Sequence, residues 1–177
     1  MGSFGIIVAT HDGGRSWESW QERIENPEGL HLFAIGEAAG QVLITSEKGV
    51  VFRLDAARHR FVALNAGYPG SLFGLVADGD GVIAFGLRGN ALRSADAGAH
   101  WQKLASGTIN GLNGGAAASR QRILIASQGG QLLMSSDHGQ TFNALPGLHL
   151  APFAGVAVAN DIAVVAGLNG VQTVALP

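Results

Sequence analysis

Thirteen carboxylates, six histidines and one tyrosine, Tyr68, are the groups in this 177-residue sequence equipped for acid–base, nucleophilic or metal chemistry. Four of the carboxylates are periodic: Asp12, Asp55, Asp96 and Asp137 follow one another at 43, 41 and 41 residues. A carboxylate pair flanking a sugar would make a glycosidase. The carboxylates outside the series (Glu18, Glu22, Glu25, Glu28, Glu37, Glu47, Asp78, Asp80 and Asp161) fall mostly in turns or in the polar 18–28 stretch, where solvated surface is the expectation. Asp78-Gly-Asp80-Gly resembles half of a calcium loop but lacks the remaining ligands at the required spacing, so it reads as a hairpin turn. Histidines 11, 31, 59, 100, 138 and 149 form neither an HxH nor an HExxH pair. With no cysteine there is no thiolate site and no disulfide. No catalytic residue, metal or cofactor is expected.

The elements that carry the periodic aspartates repeat with them. Three segments align without gaps, from Gly2 to Trp17, Gly86 to Trp101 and Ser127 to Phe142. Each reads Ser/Thr-x-Asp-x-Gly-x-Ser/Thr/His-Trp/Phe at its end. A degenerate copy from Glu47 through Asp55 to Phe61 has lost the turn glycine and gained a residue, and a partial copy begins at Gly167. The Asp carboxylate can accept backbone N–H groups of its own turn. Gly14, Gly98 and Gly139 supply backbone angles a β-branched residue could not adopt. Trp17, Trp101 and Phe142 are expected to fold back and plug the hairpin against its own sheet. The predicted structural set is therefore Thr10, Asp12, Gly14 and Trp17; Asp55; Ser94, Asp96, Gly98 and Trp101; and Ser135, Asp137, Gly139 and Phe142.

Between these copies recurs a second unit of two apolar runs separated by a turn: LHLFAIGEAAGQVLITS, SLFGLVADGDGVIAFG, INGLNGGAAASRQRILIAS and PFAGVAVANDIAVVAG. Each period thus holds four strands of about five residues, and four short antiparallel strands per 40–45 residues is the signature of a β-propeller blade. The expected fold is all-β, a β-propeller of four-stranded antiparallel blades with about four repeats of ~41 residues, as a whole ring or as part of a larger one. The repeats run approximately over 2–45, 46–85, 86–126 and 127–166, with a terminal strand over 167–177, in one domain. One blade is apolar on both faces and needs neighbours to cover them.

At Thr10-x-Asp12-x-Gly14, Ser94-x-Asp96-x-Gly98 and Ser135-x-Asp137-x-Gly139 the chain resembles the Asp-box, or bacterial neuraminidase repeat. The longer pattern, Gly-x-x-Gly before the apolar strand and Ser-x-Asp-x-Gly-x-x-Trp after it, resembles the photosystem II stability/assembly factor-like propellers over essentially the whole chain. That resemblance implies a non-catalytic, protein-binding scaffold, an assembly or stability factor for membrane-protein complexes in the periplasm or another extracytoplasmic space. The competing reading is a carbohydrate-active Asp-box propeller, binding or hydrolysing glycans. A sialidase would need an arginine triad, a Tyr nucleophile with a Glu base and an Asp acid. Tyr68 is the sole tyrosine and lies beside Pro69 in an expected inter-blade loop, and the Phe/Tyr-Arg-Ile-Pro opening of such domains is absent.

Charge and hydropathy narrow the partners. Two lysines and nine arginines against thirteen carboxylates leave a net charge of −2, no field for nucleic acid. Arg53, Arg58 and Arg60 cluster at the degenerate second copy, and Arg88 and Arg93 occupy the next blade's equivalent region; arginine is favoured in protein interfaces, so these five form a candidate partner patch. Residues 151–168 are nearly all apolar, yet Asn160 and Asp161 at their centre argue against a membrane span and for two strands joined by a hairpin turn. The segment MGSFGIIVATHDGG does not read as a signal peptide. The first and last residues both align with the third strand of a blade, which predicts a leading half-blade, three whole blades and a trailing three-quarters. A fragment of a larger ring is the favoured expectation. Two copies sharing an eight-blade-like ring, with self-association through open blade edges, and a four-bladed ring closed by the N-terminal segment remain open.

Overall fold

The computed structural model describes residues 1–38, 40–79, 81–119, 121–146 and 151–177. Alternating apolar residues between glycine-rich turns fold into short antiparallel strands. The first sheet pairs β1 (Val8–Ala9) with β2 (Glu18–Ser19). The second holds β3 (Leu32–Ala38), β4 (Gln41–Ser46), β5 (Val50–Asp55) and β6 (Arg60–Asn65) in that order. The third holds β7 (Leu72–Asp78), β8 (Gly81–Gly86), β9 (Ala91–Ser94) and β10 (Gln102–Leu104), and the fourth β11 (Leu112–Ala117), β12 (Ile123–Ser127), β13 (Leu132–Ser135) and β14 (Asn143–Ala144). The fifth has three strands, β15 (Phe153–Ala159), β16 (Ile162–Gly167) and β17 (Gly170–Ala175). Half a sheet, three whole sheets and three-quarters of another is the phase the repeat predicts. The sheets form an open arc: β1 and β2 pair with each other and not with the fifth sheet, which removes the four-bladed closure.

The sheets stack face on face, and each seam is a separate apolar cluster. Ile7 packs with Leu32, Ile44, Phe52 and Phe61 between the first two sheets. Leu43 and Val51 meet Leu72, Val82 and Leu92 at the next seam. Ile83, Phe85 and Ala91 meet Leu112, Ile123, Ile125 and Leu133 at the third, and Leu124, Ala126 and Leu132 meet Phe153, Ala163 and Val165 at the fourth. In the whole sheets the second strand is largely apolar on both faces because both are covered; all six residues of β8 are buried. Each first strand carries a bulge, at Leu32/Ala34, Leu72/Gly74, Leu112/Gly114 and Phe153/Gly155. Ala34, Gly74, Gly114 and Gly155 are therefore the register-equivalent small residues. A Cβ on Gly114 would stand 2.6 Å from the Cα of Gly155, so adjacent sheets touch backbone to backbone there.

Residues 151–168 form two strands joined at Asn160 and Asp161, both with positive φ (49° and 59°), the conformation of a type I′ hairpin turn. No helix among the described residues is long and apolar enough to cross a membrane. The third strand of the last sheet departs from its counterparts. Leu43 pairs with Arg53, Ile83 with Arg93 and Leu124 with Met134, each partner lying four residues beyond the loop glycine. Val164 pairs with Thr173, three residues beyond Gly170. That one-residue slip turns the side chains of β17 to the opposite face.

Candidate functional site

The periodic aspartates sit at or just beyond the end of the third strand, where the chain turns into the fourth, all at one end of the sheets. In the turn of Asp12, Oδ1 accepts the backbone N–H of Arg15 and of Ser16, each at 2.9 Å, and Oδ2 accepts the Ser16 hydroxyl at 2.7 Å. Thr10 donates to Oδ1 at 2.8 Å while its own oxygen accepts the N–H of Gly14. The turn of Asp96 repeats this with Ser94 and with the backbone and ring nitrogens of His100, and that of Asp137 with Ser135 and Thr141. Gly14, Gly98 and Gly139 have φ of 91°, 86° and 74°. These donors stabilise the ionised carboxylate. Asp12 is held well below the usual range, first by the Ser16 N–H, and Asp96 likewise by the His100 N–H. The Thr141 hydroxyl leads the group of donors that brings Asp137 down to about 2. Acceptors so saturated are anchors of their turns and poor acids or bases. Asp55 accepts the N–H of Ala57 and Arg58, both at 3.1 Å, without the glycine.

The aromatics of these turns do not simply plug their own sheets. Trp101 packs in the seam that Leu43 and Val51 of the preceding sheet line, and Phe142 in the seam of Ile83 and Phe85. A Cβ on Gly98 would stand 3.3 Å from Leu64 of the preceding sheet, and one on Gly139 2.0 Å from Ile83. Each turn is thus seated on the sheet before it. Trp17 folds over Gly14 in the same way but has no preceding sheet among the described residues, and is 61% exposed.

The five arginines do not form one patch. Arg53 and Arg93 occupy the same position of the third strand in adjacent sheets, and each faces the turn of the sheet that follows. Arg53 Nη1 donates to the carbonyl of Ala97 at 3.2 Å. Arg58 pairs with Asp55 at 3.2 Å and Arg60 with Glu25 at 3.7 Å. A notch of about 640 Å³ lies between Gln41, Arg53, Asp55, Arg58, Val62 and Ala97. Its counterpart one sheet on, about 530 Å³, lies between Arg93, Gln102, Lys103, His138, Gln140 and Thr141. Arg88 is at the other end of its sheet, in the loop between the second and third strands with φ 57°. The antiparallel path puts those two loops at opposite ends, so Arg88 does not join the rest.

Asp78 is not the solvated turn carboxylate the sequence predicts. It closes the hairpin opposite Gly81, but its side chain is fully buried and Arg93 Nε donates to Oδ2 at 2.6 Å. His138, from the turn of the next sheet, brings Nδ1 to 3.4 Å from Oδ1. The sequence held a signal, since the other sheets carry Ala38, Ala118 and Ala159 at this register position. Asp80 and His149 lie outside the described residues. Tyr68 donates its hydroxyl to the Leu87 carbonyl at 2.9 Å, strapping two sheets together. Among the described residues no three His, Cys, Asp or Glu side chains are placed to hold a metal ion. Sequence reasoning also missed Phe33 and Phe73, register equivalents on the innermost strands, which meet edge to face at 5.3 Å.

No protein-family model matches the chain, and no curated protein matches its sequence. Solved structures do match it. YCF48 from Cyanidioschyzon merolae superposes over 99% of this chain and 64% of its own, with a TM-score of 0.73 at 14% identity. YCF48 bound to D1 peptide gives 99% and 59%, 0.73 and 18%. The Cps50 (Swd1) β-propeller domain of Myceliophteria thermophila gives 97% and 63%, 0.70 and 11%. The chain therefore spans about three-fifths of the length of each of these three structures. At these identities the likeness carries the fold, and that fold is an arc of a β-propeller.

Proposed function

We propose that this chain is a non-catalytic scaffold that binds another protein at the end of the sheets where the aspartate turns lie. The observation that carries this reading is the repetition of the notch. Arg53 and Arg93 stand at one register position in adjacent sheets, each beside the turn of the next sheet. A partner segment running across the seams would meet two such notches in succession, the first lined by Arg53 and the second by Arg93 with Lys103, and Arg58 is exposed beside the first. Arginine suits such contacts because its guanidinium binds carboxylates and carbonyls in a fixed fork. The YCF48 structure holding a D1 peptide offers a parallel for a propeller that binds a polypeptide. The periodic turns act in this reading as Asp boxes with a structural role. The partner is a membrane-protein complex in assembly, met in the cell envelope, as the sequence resemblance implies.

Charge reversal at Arg58 and Arg60 together tests it. Both side chains are partly or largely exposed and their ion pairs are superficial, so folding should survive. Recovery of the partner in a pull-down from the native membrane fraction should be lost. Unchanged recovery with the double variant removes the notch from the binding surface. The glycan-binding reading is favoured by one observation, the exposed indole of Trp17, since sugars stack on such faces; a glycan array without hits disposes of it.

A further inference from the structure

The sequence contains three Asn-Gly steps, Asn110-Gly111, Asn113-Gly114 and Asn169-Gly170. Such a step is chemically labile: with no Cβ to restrict it, the glycine backbone can swing its nitrogen onto the preceding side-chain amide. The residues before the three asparagines are Ile109, Leu112 and Leu168, so their intrinsic reactivities are alike. The fold, by holding or freeing the two reacting groups, sets them apart.

Asn113 lies on β11, and both ends of its amide are engaged. Nδ2 donates to the carbonyl of Phe153 in the next sheet at 2.9 Å, and Oδ1 accepts Gln128 Nε2 at 3.1 Å. Its partner Gly114 is in the ladder opposite Ala126 and packs on Gly155. Asn169 is exposed, but Gly170 pairs with Gly167 in the ladder of β16 and β17. Asn110 is exposed in the loop from β10 to β11, outside both strands. Its Nδ2 reaches the Thr108 hydroxyl oxygen at 3.3 Å, within the same loop. Gly111 precedes the first ladder pair of β11, Leu112 with Ser127.

We propose that Asn110 is a modification site, converted spontaneously to aspartate and isoaspartate in the folded protein. The Gly111 nitrogen attacks Asn110 Cγ; the N–Cγ bond forms, the Cγ–Nδ2 bond breaks, and Nδ2 takes the Gly111 proton and leaves as ammonia. Water then opens the cyclic succinimide at Cγ, which gives aspartate, or at the main-chain carbonyl, which gives isoaspartate. One water is consumed and one ammonia released, with no oxidant or reductant. The isoaspartate inserts a methylene into the main chain just before Gly111. The Gly111 carbonyl accepts the Gln128 N–H at 2.7 Å and so ties this loop to the one between β12 and β13. The next residue, Leu112, is fully buried in the third seam. The lengthened chain cannot keep both attachments in register, so the modification loosens the seam between the third and fourth sheets. Asn110 lies at the end of the sheets opposite the aspartate turns, and the inference does not rest on the arginine notches.

The test incubates the whole chain at mildly alkaline pH, where the glycine nitrogen gives up its proton more readily, and follows each step by peptide mass spectrometry. Isoaspartyl methyltransferase with labelled S-adenosylmethionine counts the isoaspartate. Asn110 should react at least about tenfold faster than Asn113, whose strand must open first, with Asn169 between them. In urea the three steps should react at like rates. Asn110→Gln, whose longer side chain closes the corresponding ring far more slowly, should remove the fast phase. The isoaspartyl fraction, separated from the rest, should unfold at a lower urea midpoint than Asn110→Asp, which carries the same charge on a main chain of normal length. Asn113 or Asn169 reacting as fast as Asn110 in the folded protein, or a fast phase that survives Asn110→Gln, overturns the site. Equal midpoints overturn its effect on the seam. Reversal at Arg58 and Arg60 leaves all these readouts unchanged, so this inference and the partner reading fail separately.

Discussion

Arg93 and Asp78 form a buried ion pair between the third and first strands of one sheet, with Nε and Nη2 of the arginine each 2.6 Å from Oδ2. The other oxygen, Oδ1, has no hydrogen-bond partner among the described residues, and His138 stops 3.4 Å short of it. A carboxylate in that position depends on the single guanidinium. Arg93→Met should cost about 3–5 kcal/mol, the range for stripping a partner from a buried charge. The double variant Asp78→Ala, Arg93→Met should regain most of the loss, since Ala38 fills the same place in the preceding sheet. Urea unfolding of the three proteins measures this; a double variant no more stable than the single one would show that the stranded Asp78 charge is not the source of the loss.

The aromatic at the end of each aspartate turn stabilises the chain only where a sheet stands before it. Phe142 is 6% exposed within the seam of Ile83 and Phe85, so Phe142→Ala should cost about 3–5 kcal/mol. Trp17→Ala should stay within about 0.5 kcal/mol, as an exposed substitution does. Equal losses, measured by denaturant midpoints, would mean that the indole braces its own hairpin after all.

The period gave the strands, their order in each sheet and the phase at which the chain enters and leaves a blade. Apolar runs alternating with glycine turns have one stable solution when they recur at this spacing. What stayed hidden was relational. Trp17, Trp101 and Phe142 are identical in motif, yet their burial differs because it depends on the neighbouring sheet. Arg88 and Arg93 are five residues apart in sequence, but a strand separates them and carries them to opposite ends. Asp78 sits in a glycine-rich hairpin that reads as surface, and the one hint against that is the small residue at the same register position in the other sheets, of which Ala38 is likewise buried. The slip of β17 follows from a pairing choice that Gly167-Leu-Asn-Gly170 shares with the other loops in composition but not in register.

The ionised form of Asp137 is tied to folding with a definite sign. Its native carboxyl is lowered from 3.8 to about 2, chiefly by the Thr141 hydroxyl and N–H. A depressed native value means that the contribution is complete above about pH 4 and fades as pH falls through the native value. The unfolding midpoint of Asp137→Asn should lie below that of the parent at pH 5, and the two should converge as the pH approaches about 2. A gap that persists undiminished into acid would assign the difference to geometry and not to charge.

Gly14 and Gly139 hold the same place in their turns, and comparing them separates backbone strain from crowding. Both have positive φ, 91° and 74°, where a Cβ costs on the order of 1–2 kcal/mol. A Cβ on Gly14 would meet nothing nearer than Trp17 at 3.8 Å, an ordinary contact. On Gly139 it would meet Ile83 Cδ1 at 2.0 Å and force that fully buried side chain aside. Overpacking of a filled core adds roughly 1–3 kcal/mol. Gly139→Ala should therefore destabilise more than Gly14→Ala by about that increment. Adding Ile83→Val to Gly139→Ala should recover part of it, because Val lacks the Cδ1 that stands in the way. Thermal unfolding of the three variants reads the order directly, and a Gly14→Ala protein as unstable as Gly139→Ala would mean that the turn alone, without the seat on the preceding sheet, sets the cost.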